Sequence, residues 1–349
     1  IDKPTDYFNT KLYAGNNSTQ SITGVGFQPD WVWLKSRSDA GEHTLYDSVR
    51  GATKRLDSAA TDSEDTVTNG LTSFDSDGFS LGAGGNENSA SSIVSWNWKA
   101  SGSTASNTDG TNITSTVSAN TTAGFSIVSY TGSGTISDTV GHGLGTTPNV
   151  VIIKNRDTGT SGWNVHHSSL SSGYNLQLQA TSAQFNSTGQ GHIGTVGSST
   201  FGFVAGSSGN DQVNDSSEKY IAYCFAEKSG YSKFGSYTGE GSTDGTFIYT
   251  GFKPAWVMTK RTDTSGNWHI HDNKRDVDNG VTFELRANTN DADTDVFAVV
   301  GEHRVDFLSN GIKIRTTGVS VNASGGSYIF MAFAESPFVT STGIPTTAR

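Results

Sequence analysis

Hydrophobic and polar residues alternate along this chain in short runs, and clusters of Gly, Asn, Asp and Ser separate these runs. Residues 124–130, with the sequence GFSIVSY, are one example. This alternation has the period of a β-strand with one buried face, whereas no window shows the sustained spacing of an amphipathic helix. The pattern predicts an all-β protein of antiparallel β-sandwiches or jelly rolls, with a turn or two of helix near residues 47–60.

One phrase of this pattern occurs three times. It reads GFQPDWVWLKSR from residue 26, LGTTPNVVIIKNR from residue 144 and GFKPAWVMTKR from residue 251. In each copy a Pro precedes aromatic and β-branched residues, a Lys stands six positions after the Pro, and an Arg follows the Lys. Similar opening and closing strands flank each copy. The chain is therefore predicted to hold three modules of one kind in tandem.

The repeat sets the predicted domain organisation. The sandwich modules are placed at residues 1–100, 120–230 and 231–338, with a Gly/Ser/Thr-rich linker at 101–119 and an extended tail at 339–349. Because the second junction is short, we expect modules 2 and 3 to be closely apposed and module 1 to be loosely tied. One face of each alternating strand must enter a core. The residues expected there are Trp31 or Trp33, Trp98, Val151, Ile153, Phe225, Val257 and Phe333.

Composition narrows the classes of function. The formal net charge is −10, and no basic patch is interleaved with aromatic residues, so no nucleic-acid partner is predicted. No apolar run reaches the length of about eighteen residues that a membrane span requires, so no membrane partner is predicted either. Cys224 is the single cysteine and is interpreted as a small buried hydrophobic residue.

The repeated cationic residues are the first candidates for a site. An alternating strand places Lys35 and Arg37 on the same face as Trp31. Cations beside aromatic rings fit either a structural role or contact with an anion or acidic sugar, and exposed rings beside polar loops would suit a glycan. The candidate ligand-binding or interface residues are Trp31, Lys35, Arg37, Lys154, Arg156, Trp163, Lys260, Arg261, Trp268, His269 and His271.

Metal ligation is the second chemistry that the sequence raises. His269 and His271 share a strand face at metal-ligand spacing, but no Cys or carboxylate pattern completes a site. Residues 57–65 and 288–295 are oxygen-rich loops that could hold Ca²⁺, although neither has the spacing of an EF-hand. We predict no cofactor and no metal, with Ca²⁺ at these loops as the alternative.

Catalytic motifs are missing from the sequence. It contains neither a Gly-x-Ser-x-Gly elbow at a strand-to-helix turn nor a phosphate-binding Gly-rich loop that ends in Lys-Ser/Thr. No acidic position recurs in all three modules beside an aromatic platform. A pair of catalytic carboxylates could still form in three dimensions, because their separation is not written in the sequence. The chain is predicted to be no enzyme, with no catalytic residues.

Several phrases of the chain resemble a known family. They are the first copy of the repeat, YDSVRG at residues 46–51, TSFDSDGF at 72–79, DYFNTKLY at 6–13 and FAESPF at 333–338. These phrases are similar to a domain family of predicted virion proteins from marine tailed phages. Modules 2 and 3 keep the Pro-to-Lys core but are interpreted as lacking the DSVRG element. The resemblance spans nearly the whole chain, implies a structural or fibre-like virion component and supplies no catalytic residues.

On these grounds we expect a non-enzymatic structural virion protein at the particle surface, a fibre, appendage or capsid-decoration component that contributes to host attachment. The alternatives are a module that binds glycan receptors and a polysaccharide depolymerase. Phage appendages are usually symmetric, so a homotrimer is expected, with the linker and the tail in subunit contacts. The further partners expected are other virion proteins and a host surface glycan.

Overall fold

The structure is a computed structural model that describes residues 1–187, 191–204, 212–296, 298 and 304–346. It is almost entirely β, with 45% of residues in strands and 3% in helices, which confirms the predicted all-β class. The helix predicted near residues 47–60 is wrong, because that segment forms turns and the short strand β5. No helix among the described residues is both long and apolar enough to cross a membrane.

Each module contains one long sheet and one short sheet, and module 1 has a further two-stranded sheet. Module 1 begins with a 3₁₀ turn (Pro4–Asp6) and contains β1 (Phe8–Ala14), β2 (Gln20–Thr23), β3 (Trp31–Ser36), β4 (Thr44–Asp47), β5 (Lys54–Arg55), β6 (Asp65–Thr66), β7 (Leu71–Asp75), β8 (Gly78–Leu81) and β9 (Ser92–Trp98). Module 2 contains β10 (Ala105–Asn107), β11 (Asn112–Ile113), β12 (Ser115–Asn120), β13 (Phe125–Thr131), β14 (Thr139–Gly141), β15 (Val150–Asn155), β16 (Asn164–His167), β17 (Tyr174–Gln177), β18 (Phe185–Asn186), β19 (Ile193–Val196), β20 (Thr200–Phe203) and β21 (Lys219–Phe225). Module 3 contains β22 (Ser232–Thr238), β23 (Phe247–Tyr249), β24 (Phe252–Arg261), β25 (Trp268–Asp272), β26 (Phe283–Arg286), β27 (Thr294–Asp295), β28 (Val305–Leu308), β29 (Gly311–Ile314), the helix α1 (Val319–Asn322) and β30 (Ser327–Pro337).

The long sheets of the three modules share one strand order. It is β1-β9-β3-β4 in module 1, β13-β21-β15-β16 within the eight-stranded sheet of module 2, and β22-β30-β24-β25 within the six-stranded sheet of module 3. The register is shared as well, because the residue two positions after each repeated Pro pairs with the closing aromatic residue. These pairs are Trp31 with Trp98, Val150 with Phe225 and Trp256 with Phe333. The three prolines therefore occupy equivalent positions.

The strand that follows each Pro is buried on both faces. One face enters a core that all three modules share, through Trp31, Trp33, Val150, Ile152, Trp256 and Met258. The other face meets the short sheet of its own module, which has the order β2-β8-β7, β11-β14-β20-β19 or β23-β29-β28. Double burial explains why these strands are continuously hydrophobic rather than strictly alternating. All of the predicted core residues are buried.

The shared core is aromatic and joins the modules directly. The ring of Phe333 in module 3 lies 5.3 Å from that of Phe8 in module 1 and 5.8 Å from that of Phe225 in module 2, centroid to centroid. Trp31 of module 1 stacks on Tyr223 of module 2 at 4.4 Å. The expectation of a loosely tied first module is therefore wrong. The inner face of each long sheet is covered by the other two modules.

The two segments predicted as a linker and as an extended tail are folded. Residues 101–119, predicted as a linker, contain β10, β11 and most of β12, and β12 pairs with β13. The tail predicted as extended turns back, with Val339 bridged to Pro345. The backbone N–H of Ser341 donates to Asp2 Oδ1 at 2.7 Å, so the tail packs on the start of the chain. Residues 347–349 lie outside the described residues.

Candidate functional site: the junctions between modules

The residues that the sequence singled out lie in the interior, in groups at the three junctions between modules. Eight of the eleven are buried, including the three tryptophans and the three lysines. The side chains of Arg37, Arg156 and Arg261 are 21%, 15% and 17% exposed. None of these tryptophans can serve as an exposed platform for a sugar. The structure does not bring the eleven residues together in one site.

One hydrogen bond recurs at all three junctions. In each module a ring N–H donates to a backbone carbonyl of the neighbouring module. The donor residue stands directly before β4, directly before β16 or at the start of β25. The pairs, donor first, are Trp163 with Asp57 (2.7 Å), Trp268 with Gln177 (3.0 Å) and His43 with Arg286 (2.9 Å). Nδ1 of His43 accepts from Trp33, so Nε2 carries the donated proton. Module 2 thus donates to module 1, module 3 to module 2 and module 1 to module 3, which closes a ring.

The repeated lysines hold strand ends at these junctions. Lys35, Lys154 and Lys260 each donate from Nζ to the carbonyl of the next residue, at 2.9, 2.7 and 2.6 Å. Lys260 also donates to the carbonyl of Thr181 in module 2, at 3.3 Å. Burial disfavours the charged ammonium and lowers the pKa of each lysine from 10.5 to about 8.

The lowered lysine pKa predicts a pH dependence of stability. The folded protein disfavours the protonated form, so the penalty is full below pH 8 and disappears as the pH rises towards 10.5. We expect the unfolding free energy of the native chain, minus that of Lys154→Met, to rise by about 2 kcal/mol between pH 7.5 and 9.5. Urea unfolding at both values measures this, and taking the difference cancels the ionisation of tyrosines. The exposed Lys3→Met is the control, and a flat difference for Lys154→Met would contradict the prediction.

A network of charges fills the junction between modules 1 and 2. Asp47 and Arg50 pair at 2.5 Å, and Arg50 lies 3.3 Å from Glu64. Module 2 adds Arg156, which donates to Glu64 at 2.8 Å, and Tyr223, whose hydroxyl donates to Asp47 at 2.8 Å. Burial disfavours a charged Arg50, but Asp47, Tyr223 and Glu64 together outweigh burial, and the pKa of the guanidinium is raised. Burial likewise opposes the Glu64 carboxylate, but its hydrogen bond from Arg156 lowers the pKa, so both groups stay charged.

The junction between modules 3 and 1 repeats this network part by part. Asp272 and Arg275 pair at 2.6 Å, and Arg275 pairs with Asp293 at 2.6 Å. Module 1 adds Arg37, which pairs with Asp293 at 3.0 Å, and Trp96, whose indole N–H donates to Asp272 at 2.9 Å. Burial opposes the charge of Asp272, yet Arg275 holds its pKa below the usual value.

The third junction, between modules 2 and 3, has the same backbone contacts as the other two but lacks their network of charged side chains. The N–H of Gln184 donates to the carbonyl of Thr262 at 2.9 Å, as Glu64 does to Arg156 and Asp293 to Arg37, each at 2.8 Å. Arg261, one position before Thr262, pairs with Asp263 of its own module at 2.8 Å. The five positions equivalent to the charged networks hold His167, Leu170, Gln184, Thr262 and Met331. A single buried charge left without its partners would cost several kcal/mol, which explains why all five positions differ together.

Sequence reasoning missed most of this network. The DSVRG element was interpreted as absent from module 3, but Asp272 and Arg275 keep its ion pair at the same three-residue spacing. The repeated Asp-x-x-Arg after the second strand was the available signal. Glu64 and Asp293 belong to the two loops considered for Ca²⁺, and their carboxylates bind arginines. The Ca²⁺ alternative has no support at these two residues.

His269 and His271 meet a single carboxylate rather than a set of metal ligands. His269 Nδ1 lies 2.9 Å from Glu284 Oε1, and His271 Nε2 lies 3.8 Å from Oε2. Arg286 and Arg304 approach the same carboxylate at 2.9 and 3.5 Å. Burial lowers the pKa of His271 to about 3, so this imidazole is neutral near pH 7. Within the described ranges, no group of three His, Cys, Asp or Glu side chains is arranged to hold a metal ion.

The fold and the junctions define a class of all-β proteins, in which three similarly folded two-sheet modules surround one shared core. The chain belongs to a family described as a domain of unknown function (DUF7483), whose sequence model matches residues 3–337. This match runs through all three modules. No curated protein and no solved structure matches the chain.

Proposed function

We propose that this protein is a non-enzymatic structural component of a tailed-phage virion, exposed on the particle and contributing to host attachment. The observation that supports the proposal is the use made of the repeated residues. Several of the residues that could have formed a site instead bind one module to the next, namely Arg37, Arg156, Trp163, Lys260 and Trp268. A chain that uses such residues to join its own modules is suited to act as a rigid structural component.

Among the described residues, the depolymerase alternative finds a cluster of carboxylates around a small pocket in module 1. Glu42, Asp57, Asp62 and Asp65 surround a pocket of about 30 Å³ in module 1. Burial raises the pKa of Asp57 to about 6, which would suit a general acid. The volume, however, holds a few water molecules and no sugar ring. Release of reducing ends from host polysaccharide would favour this alternative over the structural proposal.

Purified phage particles test the proposal. Antibodies against the chain should decorate the particle surface in immunogold electron microscopy, and light scattering of the isolated chain should give the mass of a trimer. Labelling at the tail tip, collar or capsid would also tell which component it is. A chain that is abundant in infected-cell lysate but missing from purified particles would overturn the virion proposal. A stable monomer at micromolar concentration would overturn the trimer alone.

Glycan binding is kept as a second candidate, because two exposed aromatic rings stand close together in module 3. Phe247 and Tyr249 lie on the edge strand β23 and are 44% and 60% exposed. Aromatic rings beside hydroxyl-bearing side chains are the usual elements of a sugar site. A glycan array probed with the native chain and with Tyr249→Ala tests it. Binding that Tyr249→Ala abolishes would favour this candidate.

A further inference from the structure

Module 3 carries an open groove along one edge. The groove has a volume of about 560 Å³ and is lined by β22, the edge strand of the long sheet, and β23, the edge strand of the short sheet. Gly235, Ile248 and Phe330 line its apolar part. The exposed rings of Phe247 and Tyr249 stand beside them. Two open strand edges and an apolar lining therefore face the same space.

Module 2 shows what fills this groove when it is covered. Its strands β13 and β14 correspond to β22 and β23, and both are covered by the preceding segment of the chain. Strand β12 pairs antiparallel with β13, and β11 pairs parallel with β14. Ile113 and Val117 of this segment are buried in the core of module 2. Val117 pairs with Val128, which is the position that Gly235 holds in module 3.

Module 1 closes the same gap with its own side chains. Lys11 stands there at the position of Gly235. Its side chain extends to Gly24, where an added Cβ would lie 2.9 Å from Lys11 Nζ. Asn9 spans the gap as well, donating from Nδ2 to the carbonyl of Val25 at 2.6 Å. Module 3 has a glycine at this position, and its chain passes from β21 to β22 through residues 226–231 without a covering strand.

The backbone of β22 is arranged to pair on the open side. The N–H of Phe234 faces outward and donates to Glu227 Oε2 at 3.4 Å, and the carbonyl of Thr238 accepts from the Thr246 hydroxyl at 2.5 Å on the same side. These two groups have partners within the chain, and Ser236 lies between them. Alternate residues of a strand direct their backbone groups to the same side, so the N–H and C=O of Ser236 also face outward. The residue equivalent to Ser236 in module 2 is Ser129, which pairs with Thr116 of β12.

We propose that this groove is a docking site for an extended strand of another protein chain, which pairs antiparallel with β22 and places a β-branched side chain beside Gly235, against the ring of Phe330. The occupant is rich in small and β-branched residues and poor in charges, like residues 111–120 of this chain, TNITSTVSAN. Backbone hydrogen bonds supply affinity in such strand addition, and the pocket at Gly235 supplies selectivity. This proposal does not rest on the virion assignment.

A capped, fluorescently labelled peptide of sequence TNITSTVSAN tests the proposal against the full chain by fluorescence anisotropy. We expect saturable binding to the native chain. Ser236→Pro removes an outward N–H from an edge strand, where Pro is tolerated, and should weaken binding at least about tenfold. Ser236→Ala keeps the backbone and should bind like the native chain. A peptide with Pro in place of the Thr equivalent to Thr116 should bind no better than a scrambled one.

A second variant guards against misfolding. Phe247→Lys places a charged side chain at the exposed rim of the groove, and it should weaken peptide binding while circular dichroism shows a native thermal transition. Absence of saturable peptide binding overturns the proposal, as does equal loss in Ser236→Ala and Ser236→Pro. Glycan binding that Tyr249→Ala abolishes, without peptide binding, would assign the groove to a sugar. A dimer that Ser236→Pro dissociates and the peptide does not would assign it to a second copy of the chain.

Discussion

Replacing Arg50 with Met is expected to lower the free energy of unfolding by about 3–5 kcal/mol, because it leaves Asp47 buried without its cation and leaves Glu64 with Arg156 alone. The side chains of Arg50 and Asp47 have no exposure to solvent, so water cannot replace the lost partner. Guanidinium unfolding followed by tryptophan fluorescence measures the change. Arg261→Met is the control, since its ion pair with Asp263 lies near the surface and should be worth less than about 1 kcal/mol.

The third junction supplies a matched variant for the same experiment. The residues found there can be transferred to the first junction, which gives the variant Asp47→His, Arg50→Leu, Glu64→Gln, Arg156→Thr and Tyr223→Met. This fivefold variant removes the charges together, so we expect it to be more stable than the single Arg50→Met variant. If Arg50→Met costs less than about 1 kcal/mol, or the fivefold variant is the less stable of the two, the networks do not hold the junctions as described.

Replacing Phe333 with Ala is expected to cost about 3–5 kcal/mol and to weaken all three modules at once. Its ring packs against Phe8 and Trp98 of module 1 and against Phe225 of module 2, so the cavity would open in the shared core. Unfolding should remain a single transition that coincides by circular dichroism and fluorescence, because the inner faces of all three long sheets meet in one shared core.

Phe247→Ala is the matched control for this experiment, since it removes a ring of the same module that is 44% exposed. Its effect should be within about 0.5 kcal/mol of zero, as for other surface changes. Two separate transitions in Phe333→Ala, with one module lost before the others, would contradict the description of a common core. A cost below about 1 kcal/mol would show that the ring is not a core residue.

Local patterns identified the strands, the repeat and the core residues. The prediction of the core assumed that one face of each strand is buried, and the structure buries both faces of the strand after each Pro. Trp31 and Val151 are buried as predicted, but they enter different cores, because the strand after each Pro is covered on both faces. Low hydrophobicity led to a wrong prediction for one segment. Residues 101–119 look like a linker, yet they form strands because module 2 offers two open sheet edges beside them. The composition of a segment does not reveal whether an unpaired strand edge lies beside it in the fold.

The candidate site was located in sequence but misplaced in space. Lys35, Lys154 and Lys260 stand out by their spacing from the Pro, and a repeated cation near aromatic rings can equally lie on a surface. Their burial follows from how three modules close around a shared core. Glu64 and Asp293 resembled Ca²⁺ ligands because one arginine partner of each, Arg156 and Arg37, belongs to another module, far away along the chain. No local window contains both members of these pairs.

The sequence by itself determined the all-β class, the threefold repeat and the strands that carry it, because strand periodicity and the Pro-to-Lys phrase are local properties of the chain. Tertiary structure alone decided that the modules share one core, that two junctions are charged and the third is neutral, and that module 3 keeps an open edge. Each of these depends on which surfaces meet. The contacts between modules join residues that are distant along the chain, such as Arg37 and Asp293. They are set by the packing of whole sheets, and nothing in the neighbouring sequence records them.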